Sequence, residues 1–235
     1  MKEVTVTTSW DDGYALDLKL AELLKRYGIK GTLYIAPRNL EFNSRLNFLS
    51  DHQVKKLAED FEIGAHTMAH VRLHTVSLAA AGREITESKQ YLEQLTGQPV
   101  TSFCYPGGAY TPDHIEQVKK AGFRLARTTK RFSFALGANP YELPTTIHAY
   151  NHWLDIWQVA LFVKFNPFSF VRYYRHWDVL AMAMFDRVMV RGGVFHLWGH
   201  SWEIENHKDW QRLEAVLKYI SRRPGVVYAT NQELL

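Results

Sequence analysis

Between Val4 and Thr128 short apolar runs alternate, one after another, with longer stretches of helical period. Val4 to Thr8 alternates in the strand manner. Leucines 16, 20, 23 and 24 share one helical face across Leu16 to Tyr27, and Gly28 closes that helix. Gly31 to Ala36 is the second expected strand, and Asp51 is the expected N-cap of a helix carrying Val54, Leu57 and Ala58. Phe61 to His66, Val100 to Tyr105 and Phe123 to Thr128 complete the strands. Between them lie helices over Ser77 to Leu95, with Glu84, Glu87 and Lys89 on its outer face, and over Pro112 to Ala121. A helix after every strand returns the chain to the same end of the sheet, so successive strands must run parallel. An α/β fold with a parallel sheet follows, either closed as a barrel or open and doubly wound.

Beyond this stretch, Val194 to Trp198 and Val226 to Tyr228 read as further strands, with a helix over Trp210 to Ile220. Residues 148–191 break the rhythm with a crowd of aromatics, Trp153, Trp157, Phe162, Phe165, Phe168, Phe170, Tyr173, Tyr174 and Trp177 among them. This segment reads as a helical insertion packing over the core, or as a lid, a sugar-stacking wall or a membrane-facing patch. At 235 residues, 46% hydrophobic and 22% charged, the chain suits one α/β domain over residues 1–235. A net charge of +4 is too mild to make nucleic acid the expected partner. The one cysteine, Cys104, excludes an intramolecular disulfide. The first residues show no signal-peptide pattern, so a cytoplasmic location is expected, with membrane association through the aromatic insertion as a variant.

Three clusters fall at the C-terminal ends of expected strands, the edge where parallel α/β proteins assemble their sites. The first is Thr8-Ser9-Trp10-Asp11-Asp12-Gly13, whose adjacent carboxylates repel unless a cation offsets them. The second is His66-Thr67-Met68-Ala69-His70, two histidines spaced to share one face of a helical turn, after the small pair Gly64-Ala65. Two imidazoles and a carboxylate leave coordination positions open, the layout of a catalytic rather than a structural metal site. The third is Phe103-Cys104-Tyr105-Pro106-Gly107-Gly108, a tight turn able to bring backbone N–H groups to an oxyanion.

Taken together, these clusters resemble the motifs of the polysaccharide deacetylase family, the NodB-homology or carbohydrate esterase 4 family. Its T-F-D-D-G motif is matched by Ser9 to Gly13, and H-[ST]-x-x-H in full by His66 to His70. Its R-x-P-x-G motif is matched only by Tyr105 to Gly108, with Cys104 where the arginine would stand. The resemblance implies a distorted (β/α) barrel of about seven parallel strands. It implies a divalent metal on Asp12, His66 and His70, with Asp11 as the base that activates the attacking water. Zinc suits such a site, and cobalt, nickel or iron would also fit. The family's late strand ends in a leucine and a histidine that protonates the leaving amine. Here His196, Trp198 and His200 share one face of an extended strand, and His200, nearer the rim, is the expected acid with His196 the runner-up. Glu203 is placed to orient His200. Tyr105, Pro106, Gly107 and Trp198 are the expected substrate contacts.

The implied activity is hydrolysis of an N-acetyl group, a linear amide, on an amino sugar or glycan. Two alternatives stand beside it: an amidase or esterase on a small molecule or O-acetylated glycan, and a carbohydrate-binding protein that has lost turnover.

Overall fold

The structure is a computed structural model in which residues 3–40 and 47–235 are described. Its backbone strand is β1 (Val4–Asp12), buried over nearly its whole length, as a strand with parallel neighbours on both edges must be. Along one edge it pairs with β7 (Gly193–Gly199), Val4 against Gly193 and Trp10 against Gly199. Along the other it meets β8 (Val226–Tyr228) at Val4 to Val6, and then β2 (Thr32–Ile35) at Ser9 to Asp12. Outward from β2 lie β3 (Glu62–Ala65), β4 (Ser102–Cys104) and β5 (Leu125–Arg127), and outward from β7 lies β6 (Ile147–His148). Among the described residues every pairing between these strands is parallel, in the order β5-β4-β3-β2-β1-β7-β6 with β8 beside β1.

The two ends of that curled sheet approach each other through Leu143. Its N–H donates to the Ala126 carbonyl at 2.8 Å, and its carbonyl accepts from the Thr128 N–H at 2.9 Å. Residue 143 therefore forms a one-residue parallel bridge to Arg127, four residues before β6 joins β7. The result is the distorted barrel that the family resemblance implied, the first of the two forms that the strand–helix alternation left open.

The helices form where the sequence provides faces and ends. In α1 (Asp17–Tyr27) Leu20, Leu23 and Leu24 are buried, and Gly28 takes the left-handed conformation that ends it. The N-cap of α2 (Asp51–Leu57) is Ser50 rather than Asp51. Ser50 and Gln53 form a reciprocal capping box, which outcompetes the lone carboxylate one residue later. Ser77 caps α3 (Leu78–Thr96), and Thr111 caps α4 (Pro112–Lys120) together with the buried His114. Strands β2 to β5 are shorter than the apolar runs that announced them, whereas β1 and β7 run longer, β1 carrying on through Asp11 and Asp12. Strand β6 and the short helix α8 (Ser201–Asn206) have no clear sequence signature.

The insertion divides into two kinds of helix. Helix α7 (Trp177–Arg191) buries Trp177, Leu180, Ala181, Met184, Phe185 and Val188, a stripe of helical spacing laid on the core. Each of the large ones contributes roughly 1.5–3 kcal/mol by leaving water. Helices α5 (Ile156–Phe162) and α6 (Pro167–Arg175) instead leave many of their apolar side chains exposed. The last helix, α9 (Trp210–Ile220), packs Leu213, Val216, Leu217 and Ile220 inward beside α7.

Candidate active site

The C-terminal ends of β1, β3, β4 and β7 open into a cavity of about 380 Å³, lined in part by Asp11, Asp12, His66, His70, Tyr105, Gly107, Trp198 and His200. Asp11 and Asp12 are the last two residues of β1, and the strand's alternation sends their side chains apart. Asp12 faces the histidine pair: its Oδ1 lies 3.1 Å from His70 Nε2 and 3.6 Å from His66 Nε2, and Trp202 Nε1 donates to its Oδ2 at 2.9 Å.

The histidines do not sit on a helical turn as their spacing suggested. They flank a loop whose Thr67 and His70 both have positive φ, 60° and 57°, and Asp12 opposite has φ 81°. Three non-glycine residues in the left-handed region around one point mark strain held in place by its surroundings. Part of the restraint is Glu84 of α3, whose Oε2 accepts the backbone N–H of Met68 at 3.0 Å and of Ala69 at 2.9 Å. Glu84 thus turns to the loop instead of outward to solvent. The small residue at Gly64 likewise serves packing: a Cβ there would come within 2.4 Å of the Tyr34 ring.

The donor set fits a divalent cation. His66 Nδ1 donates to the Cys104 carbonyl at 2.8 Å, which leaves Nε2 as a lone pair directed toward Asp12. Burial and His70 together push His66 down to about 4, so the ring is neutral near neutral pH. An imidazole lone pair, a second histidine and an ionised carboxylate oxygen converge, with no proton between the first and the last. A cation removes that conflict. A second group, Asp11, His66 and Cys104, is also close enough to share an ion. There, however, burial pushes the Cys104 thiol well up, which keeps it protonated and a poor ligand.

Asp11 has a different set of neighbours. Its Oδ1 takes a short, buried hydrogen bond from Arg127 Nη2, and its Oδ2 lies 3.7 Å from Cys104 Sγ and 3.9 Å from His200 Nε2. Arg127 is the middle of the seam with Leu143, fully buried, its guanidinium 4.7 Å from the Trp198 ring and 5.3 Å from that of Tyr34. The arginine that the third motif lacks at Cys104 therefore has a counterpart on the neighbouring strand. Burial pushes the Asp11 carboxyl up, but Arg127, His66 and His200 outweigh it and hold the group below the usual carboxylate range. The sequence did carry a sign of this residue. An arginine on a buried parallel strand must find an acid, and of the two arginines in Phe123 to Thr128, Arg127 shares strand parity with the apolar Phe123 and Leu125.

His200 and His196 separate sharply. His200 follows the last residue of β7 and lines the cavity, its Nδ1 2.5 Å from Glu203 Oε2 and its Nε2 toward Asp11. Burial pushes it down, but Asp12 and Glu203 lift it to about 9. His196 lies deeper in the barrel, its Nε2 2.8 Å from Ser9 Oγ, and burial with Arg127 nearby pushes it down to about 3.

Trp198 stacks on His148, ring centroids 3.8 Å apart, and His148 Nε2 lies 2.9 Å from the same Glu203 oxygen. His148 Nδ1 in turn lies 2.6 Å from His152 Nε2, at the cavity wall. His148 and Trp202 had no sequence signal beyond residue type. Arg131, also on the wall, pairs with Asp155 through two contacts, Nε to Oδ2 at 3.0 Å and Nη2 to Oδ1 at 2.5 Å.

Of the expected substrate contacts, Tyr105, Gly107 and Trp198 line the cavity, and Pro106 is buried beneath the turn. Gly107 and Gly108 both have positive φ, 63° and 70°. The Gly108 N–H is already committed to the Tyr105 carbonyl at 2.8 Å.

A parallel α/β barrel thus brings the Asp12, His66 and His70 donor set beside a second, arginine-paired aspartate. The model of the polysaccharide deacetylase family matches residues 1–126, and the chain belongs to that family. A curated relative, the poly-beta-1,6-N-acetyl-D-glucosamine N-deacetylase of Staphylococcus aureus (strain MRSA252), is 23% identical over 150 residues. The match covers 57% of this chain and 52% of the relative, so the chain spans about half of that relative's length. Among solved structures, the Streptococcus pyogenes deacetylase PplD in complex with acetate is similar at a TM-score of 0.54 and 23% identity. That match covers 59% of this chain and 62% of PplD. The Xyl-CE4 domain of a multidomain xylanase from the hindgut metagenome of Trinervitermes trinervoides is similar over 99% of this chain and 89% of its own. Its TM-score is 0.61 at 13% identity, a likeness of fold.

Proposed function

We propose that this protein is a metal-dependent hydrolase that removes the N-acetyl group of an amino sugar or glycan. The observation that carries the reading is the convergence of Asp12, His66 and His70 beside an Asp11 that Arg127 keeps ionised. Asp12, His66 and His70 would hold the metal, zinc being the best match for two imidazoles and a carboxylate, with cobalt, nickel or iron also accepted. Bound there, the ion supplies a Lewis acid that polarises the acyl carbonyl and acidifies water.

The rest is the work of the chain. Asp11, ionised and fixed by Arg127, accepts a proton from the attacking water. His200, held protonated by Glu203, gives a proton to the amine nitrogen as the C–N bond breaks, so that water and amide become acetate and free amine. His196, neutral and bonded to Ser9, supports the wall instead of donating. Trp198, stacked on His148 with the Arg127 guanidinium over its ring, stiffens the cavity wall. Arg127, His200, Trp202 and Glu203 all lie beyond the residues that the family model matches, which supports one catalytic domain running through residue 235.

The test is acetate release from N-acetylated glycans, poly-β-1,6-N-acetylglucosamine among them, with and without chelator and beside Asp11→Asn. Release that requires both the metal and Asp11 is expected. Turnover that survives chelator and substitution sinks the mechanism. Metal-dependent cleavage of small amides or O-acetyl esters alone would move the protein to those substrates, and tight glycan binding without turnover would make it a binding protein.

A further inference from the structure

We propose that the α5–α6 hairpin is a docking surface for an anionic phospholipid membrane. Its two helices, with Trp153 just before them and Phe165 in the turn between, leave Trp153, Trp157, Leu161, Phe165, Phe168 and Val171 exposed, Phe168 at 87% and Trp153 at 76%. Singly exposed apolar side chains are ordinary, but a run of this density on one short hairpin is not. Between α5 and α6 an apolar groove of about 340 Å³ adds Ala160 and Phe170 to the same surface.

Charge selects the occupant. From Ile156 to Trp177 the sequence contains no carboxylate, while Lys164, Arg172 and Arg175 are all exposed. Asp155, at the hairpin's base, is neutralised by Arg131. A neutral glycan or a second copy of this chain needs no such one-signed rim, whereas an anionic lipid surface does. On α6 Phe168, Val171, Arg172 and Arg175 share one exposed helical face by their spacing, so cations rim the apolar side chains and no carboxylate interrupts them. Among the described residues no helix is long and apolar enough to cross a membrane, consistent with lying on it.

The turn between the helices is a second, independent sign. Lys164 and Phe165 are consecutive non-glycine residues with positive φ, 53° and 59°. That strained pair leaves both the cation and the 62%-exposed ring of Phe165 at the tip. The hairpin also adjoins the cavity, since His152 lines it and Trp153 comes next in the chain. A docked hairpin would therefore hold the cavity's rim at the lipid headgroups, where lipid-carried glycans are found.

The experiment is sedimentation of the intact protein with vesicles of phosphatidylcholine, with and without phosphatidylglycerol. It is read beside the emission of Trp153 and Trp157. Binding to the phosphatidylglycerol vesicles with a blue shift is expected. Trp157→Ser with Phe168→Ser should abolish both, and Arg172→Glu with Arg175→Glu should weaken binding about fivefold or more per charge. Far-UV circular dichroism matching the parent shows that these surface variants fold. No binding to either vesicle overturns the proposal, as does binding that neither double variant alters. Concentration-dependent dimers lost in Trp157→Ser with Phe168→Ser, without vesicle binding, would instead assign the face to a second copy. Because the readout needs no turnover, its failure leaves the hydrolase reading standing.

Discussion

A buried aspartate and a buried arginine on adjacent regions of the barrel depend on each other, and the dependence has a direction. Removing the guanidinium leaves the Asp11 carboxylate without its main compensating charge, a change worth about 3–5 kcal/mol of stability. Arg127→Met is therefore expected to lower kcat/KM by roughly 10²-fold or more. The acid limb of its pH–rate profile should move to higher pH, because the charge that held Asp11 low is gone. Adding Cys104→Arg to that variant returns a guanidinium to within reach of Asp11, whose Oδ2 is 3.7 Å from the present sulfur. Partial recovery of kcat/KM is expected, and none at all would show that position 104 is unsuitable for the charge. On the acid side, Glu203→Gln removes the carboxylate that helps lift His200 to about 9. The basic limb should fall at lower pH than in the parent, measured as kcat against pH.

Among the elements, the loop after β3 is the one whose shape decides how His66 and His70 meet Asp12. Glu84 reaches from α3 to two of its backbone N–H groups, so Glu84→Gln should loosen the His66–His70 geometry without touching a ligand. Metal affinity about 10–100-fold weaker is expected, read by competition with a chelator. How much of this was legible in the sequence differs from element to element. The parallel strands and their helices were, because apolar period and capping residues are local properties. Asp11, Asp12, His66 and His70 were, because each pair lies within a few residues at a strand end. The helical presentation of the histidines was not, since a spacing of four fits both a helical turn and a loop of left-handed residues. Ser50 in place of Asp51 shows the same limit at a helix start. Arg127 was legible as a buried strand cation but its partner was not, and His148 and Trp202 were hidden: each meets the site only after the chain has curled through tens of residues.

At the scale of the whole molecule, its buried histidines set how stability follows pH. Burial pushes His66, His148 and His196 down to about 4, 3 and 3 in the folded protein, while an unfolded histidine titrates near 6.5. Below about pH 6.5 the unfolded chain binds the extra protons, so stability falls as pH falls, by about 1.4 kcal/mol per pH unit per group. Asp17, raised to about 8 by burial, and Glu62, raised by burial, work the other way, and the three histidines outweigh them. His200, raised to about 9, adds stability that is full below about pH 6.5 and is lost as pH rises through its folded value. The metal-free protein should be most resistant to urea near about pH 6.5, and weaker at about pH 5 and pH 9. The barrel's seam carries a further consequence. Arg127 is at once the residue that Leu143 bridges and the partner of Asp11. Opening of that seam, held at Leu143 by two backbone hydrogen bonds, would loosen the support of the guanidinium on one side while β4 still pairs with Arg127 on the other. Heat is thus expected to lower the proposed acetate release several degrees before circular dichroism registers loss of helix, both read on the same sample.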